Sequence, residues 1–79
     1  MADIPDDLIK LERSAEEERA KLAGLDGDEH AAQWRRWRDA AERFQAAVTA
    51  HAEATGQARY EVEMATKRVV RHGDEDPAE

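Results

Sequence analysis

Between Ile4 and Leu25 the apolar residues fall at Ile4, Leu8, Leu11, Ala15, Leu22 and Leu25, with Glu18 in the one gap. Steps that alternate between four and three residues are the a/d seam of a coiled coil. The pattern predicts a first helix over about 5–23. Pro5 suits the first turn, where its missing N–H costs nothing, and Asp6 and Asp7 meet the positive end of the helix dipole. Gly24 followed by Leu25 reads as a left-handed C-terminal cap.

The same period returns at His30, Trp34, Trp37, Ala41, Phe44, Val48 and His51, predicting a second helix over about 27–54. Asp26 as N-cap, with Glu29 three residues on, gives it a capping-box-like start. Folding the chain at residues 24–28 lays the two seams antiparallel, which predicts an α-helical hairpin. One register then pairs Leu22 with Trp34, Glu18 with Trp37, Ala15 with Ala41, Leu11 with Phe44, Leu8 with Val48 and Ile4 with His51. In that register Glu18 accepts the Trp37 indole N–H.

The a/d count runs on through Thr55, Ala58, Val62, Ala65, Val69 and His72. Two outcomes follow. Either Gly56 ends the second helix and a third, about 58–72, folds back, or the helix runs on and buries Val62 and Val69 against another subunit. The break is favoured because Tyr60, Val62, Met64, Val69 and Val70 widen a thin core. A core this small rarely supplies more than about 3–5 kcal/mol, so self-association is expected either way. The fold class is all-α, one domain over 1–72, with 73–79 expected to be a disordered acidic tail.

Charge changes the functional picture. The 79 residues carry 12 Lys and Arg against 19 Asp and Glu, a net charge of −7. The acid is concentrated in residues 1–30 and in the tail, whereas residues 31–73 are net basic. Nucleic acid is therefore disfavoured overall but not along the whole chain. The absence of Cys removes disulfides, thiolate metal sites and a cysteine nucleophile. No apolar run is long enough to span a membrane, and the amino terminus lacks the pattern of a secretory signal, so a cytoplasmic protein without a membrane partner is expected.

Candidate chemistry is sparse. His30, His51 and His72 form no metal-ligating pair, and the acidic turn at Asp26–Asp28 lacks the Glu that closes a calcium loop. Ser14 is a lone serine without a catalytic partner. No catalytic, cofactor or metal residue is assigned, and no small-molecule substrate is expected. Trp34-Arg-Arg-Trp-Arg38 resembles a nucleic-acid patch in composition, but its indoles already fill seam positions and its arginines have acidic neighbours one turn away.

Val48 to Lys67 also fits part of a helix-turn-helix frame, with Gly56 in the turn, Ala52 at its small position and Val62 at its buried one. His51, Thr55, Gln57 and Ala65 fit that frame poorly.

At Ala31-Ala-Gln-Trp-Arg-Arg-Trp-Arg-Asp-Ala-Ala41 and Arg59-Tyr-Glu-Val-Glu63 the chain resembles small helical proteins of Streptomyces-type actinomycetes. The likeness runs from about Ile4 to His72 and implies an actinobacterial, cytoplasmic origin, without carrying an activity, ligand or site. The reading that results is a non-enzymatic helical protein–protein interaction module that self-associates or binds another protein. Its contact surface is expected at Tyr60, Met64, Lys67, Arg68, Val70 and Arg71, while acids of the first helix (Asp6, Asp7, Glu12, Glu16 and Glu17) keep it soluble or meet a basic partner. The alternative is a helix-turn-helix-like accessory DNA-binding regulator using Arg59, Lys67, Arg68 and Arg71.

Overall fold

A computed structural model describes the backbone of residues 4–75 and the side chains of residues 4–71. Among the described residues there are three helices, α1 (Asp6–Ala20), α2 (Gly27–Thr55) and α3 (Arg59–Glu75). The all-α hairpin with a third helix is therefore the fold.

The boundaries follow local chemistry. Regular α1 stops at Ala20, short of the expected 23, and residues 21–24 tighten into a turn with Leu22 N–H on Arg19 O and Ala23 N–H on Ala20 O. Gly24 ends that turn with φ 85°, in the left-handed conformation expected of it. Asp26 is the N-cap of α2, but its side chain makes no capping hydrogen bond, so the expected capping box is not formed. At the far end Gly56 takes φ 73° and ψ 20°, and the Ala52 carbonyl accepts both the Gly56 and the Gln57 N–H. This left-handed stop breaks the long helix, and α3 folds back. It continues through Gly73 to Glu75, three residues into the segment expected to be a tail. The remainder of that segment, 76–79, lies outside the described residues.

α3 returns along α2, with Arg59 beside Thr49 and Glu63 beside Gln45. It runs parallel to α1, so Lys67 lies against Glu12 and Val62 joins Leu8 in the core. The centre is Leu8, Phe44, Val48, Ala52 and Val62, with Ile4, Leu11 and Ala47 packed against it.

The buried rows correct the expected seam. On α2 the buried residues are Gln33, Ala40, Phe44, Val48 and Ala52, and on α3 they are Val62, Thr66 and Val70. From Ala40 onward the spacing is four, not an alternation of four and three. Rows at i, i+4 are the ridges by which straight helices pack, whereas a strict heptad demands a left-handed supercoil. A four-residue row drifts around the helix by about 40° per step. On α2 it therefore turns from the side facing α1 toward the side facing α3. Phe44 and Val48 belong to both patterns. Ala40 replaces Ala41, Ala52 replaces His51, and Trp34, expected as a core knob, is 40% exposed. Glu18 accepts its hydrogen bond from Gln33, not from the Trp37 indole.

Candidate interaction surface

The turn at Gly56 sets which side of α3 faces outward. With Val62, Thr66 and Val70 turned inward, Tyr60, Glu61, Met64, Arg68 and Arg71 fall in an arc of about 100° on the opposite side at about 100° per residue. All five are exposed, Tyr60 at 70% and Met64 at 37%. Among the described residues neither Arg68 nor Arg71 makes an ion pair.

The other residues expected on this surface are placed differently. Val70 is only 4% exposed and belongs to the inward row, so it is a packing residue and not a contact. Lys67 leans across to α1, its Nζ 3.3 Å from both Glu12 carboxylate oxygens and 5.3 Å from the centre of the Phe44 ring. Arg59 donates to Thr49 Oγ1 at 3.0 Å and pairs with Glu63 at 3.7 Å. Two of the four arginines and lysines of the DNA reading thus hold the bundle together, leaving Arg68 and Arg71 on the outward side.

Glu12 is the residue that the sequence reading misplaced most. Expected on the acidic face of α1, it is buried between α1 and α3. Burial pushes its carboxyl above the ordinary value of 4.5; Lys67 opposes that shift, and Glu16 and Glu63 add to it. Gln33 was also missed. Its Nε2 donates at 2.7 Å to both the Glu18 carbonyl and the Glu18 carboxylate, which holds that carboxyl below 4.5. Thr66 is fully buried because its hydroxyl donates to the Val62 carbonyl one turn back. The available signal was the four-residue spacing of Leu8 to Glu12 and of Val62 to Thr66 to Val70.

The tryptophan cluster sits near the start of α2. Trp34 and Trp37 meet edge to face, ring centres 6.3 Å apart, and the Arg38 guanidinium lies 5.6 Å from the Trp34 ring centre while pairing with Glu42. The cluster is thus engaged with its own helix. His30 is exposed and His51 half-buried, whereas the His72 side chain lies outside those described. Among the described residues no group of three His, Cys, Asp or Glu converges as a metal site, and no helix is long and apolar enough to cross a membrane. A shallow, open depression of about 280 Å³ between α1 and α3 is lined by Arg13, Glu16, Glu17, Ala20 and Val70.

The arrangement defines a small all-α protein in which a helical hairpin carries a third helix with one unpartnered side. Compared with protein families, curated proteins and solved structures, the chain has no significant match.

Proposed function

We propose that this chain is a non-enzymatic helical protein–protein interaction module of the cytoplasm, and that the outward side of α3 is its contact surface. The observation that carries the reading is the exposure of Tyr60 and Met64 one turn apart on the side of α3 opposite its packed row of Val62, Thr66 and Val70. Aromatic, Met and Arg side chains are enriched where proteins meet, and Arg68 and Arg71 extend the same stripe. The surface is correspondingly smaller than the sequence suggested: Tyr60, Met64, Arg68 and Arg71, without Val70 and with Lys67 committed to Glu12.

The test pairs two binding assays. Tyr60→Ala and Met64→Ala should weaken association with self or with a protein partner while leaving the helical circular dichroism intact. Unchanged association in both variants would remove the surface. Fluorescence anisotropy with random duplex at about 50 mM salt tests the DNA reading, because phosphate contacts are strongest there. The proposal expects no binding at tens of micromolar protein.

A further inference from the structure

The outward stripe of α3 is not uniform along its length. Its N-terminal end carries Tyr60 and Glu61, its middle Met64, and its C-terminal end Arg68 and Arg71. A stripe with this polarity repels a parallel copy of itself, because arginines would meet arginines. An antiparallel copy reverses the ends.

We infer that the protein forms a two-fold symmetric dimer in which α3 packs antiparallel on α3 of a second copy. This rests on the outward side of α3 being the contact surface. In the dimer Glu61 of each chain meets Arg68 and Arg71 of the other, and Tyr60 offers its ring to the same guanidinia. Met64, nearest the middle of the stripe, packs close to the symmetry axis against its counterpart and the arginine stems. An isologous interface needs such self-complementarity: what residue i offers, residue j must accept, and the reverse. The stripe from residue 60 to 71 is about 17 Å long at 1.5 Å per residue, short for a permanent dimer. Association is therefore weak and salt-sensitive, because its ion pairs are exposed.

The charges give a test that does not depend on truncating a side chain. Two variants are made, Glu61→Arg and the double variant Arg68→Glu/Arg71→Glu, and each is checked for native helicity and thermal unfolding. Sedimentation equilibrium is run from about 10 µM to about 1 mM, a span suited to weak association. Wild type should shift from monomer to dimer mass across that range. Each variant alone should stay monomeric at least tenfold further up it, because like charges now face each other. An equimolar mixture should recover the dimer mass, since each chain supplies the charge that the other lacks.

A wild type that is monomeric at every concentration overturns the dimer, as does a mixture of folded variants that fails to recover it. The broader reading is separable: if the dimer fails but Tyr60→Ala and Met64→Ala still abolish binding to a different protein, the surface stands and only its occupant is wrong.

Discussion

Lys67 of α3 reaches across to Glu12 of α1, and its ammonium lies 3.3 Å from both carboxylate oxygens. The two partners are not equivalent. The Glu12 side chain is 5% exposed and that of Lys67 36%, so only the carboxylate loses most of its water. That asymmetry makes the two ends of one ion pair respond differently to mutation.

Lys67→Met should destabilise the protein by about 1–3 kcal/mol, because it strands a buried carboxylate beside Glu16 and Glu63. Glu12→Gln should stay within about 1 kcal/mol of wild type at neutral pH, since it removes the charge whose burial is unfavourable while Lys67 remains reachable by water. Urea denaturation of the two variants measures the difference. Equal losses would mean that the pair stabilises the fold outright.

Two carboxyls should move stability with pH in opposite directions. Glu12 has a folded pKa raised by burial, so its contribution is complete below the ordinary 4.5 and is lost as pH rises through the raised value. Glu18 is lowered by the Gln33 amide, so its contribution is complete above 4.5 and is lost as pH falls through the lowered value. Carbon-detected NMR titration of the side-chain carboxyls should place Glu12 above Glu18. Gln33→Ala should bring Glu18 back toward 4.5 and leave Glu12 where it is.

Phe44→Ala and Trp34→Ala separate the observed core from the heptad expectation. Phe44 is 1% exposed and touches the centre of the bundle, so its truncation should cost about 3–5 kcal/mol. Trp34 makes an edge contact with Trp37 at the surface, and losing it should cost about 1 kcal/mol. A Trp34 loss as large as that of Phe44 in thermal or urea unfolding would restore the indole to the core.

How much of this was legible follows from what a period can encode. The helices were readable because apolar period and turn residues are local, whereas Gly56 favoured a stop without excluding a helix that runs on. Phe44, Val48, Leu8 and Val62 were readable because they are apolar under any helical period. Gln33, Glu12 and Thr66 were not, because their burial depends on partners far along the chain: the Glu18 carboxylate, the Lys67 ammonium and the packing of α3. The choice between a heptad seam and four-residue rows is likewise tertiary. Once α3 folds back, α2 serves two neighbours, and its buried row must turn from one to the other. The same shift moved Val70 inward and left Tyr60 and Met64 outside with Arg68 and Arg71, so four of the six residues expected on the surface are exposed, for a reason the sequence alone could not supply.

Gly56→Ala should destabilise by about 1–2 kcal/mol, the cost of holding a side chain in the left-handed region. No atom lies within 4 Å of the added Cβ, so the loss is conformational and not steric. Asn at the same position should recover part of it, as judged by thermal unfolding.

α3 is folded back, and Tyr60, Glu61, Met64, Arg68 and Arg71 on its outward side are proposed to meet a second copy of the chain. Amide NMR spectra of the unmodified protein, recorded over a dilution series, give the sharpest test. The expected result is concentration-dependent shifts along the outward side of α3, strongest near Met64, with α1 and the core around Phe44 unmoved. Shifts confined to the acidic face of α1 or to Trp34, or none at any concentration, would contradict it.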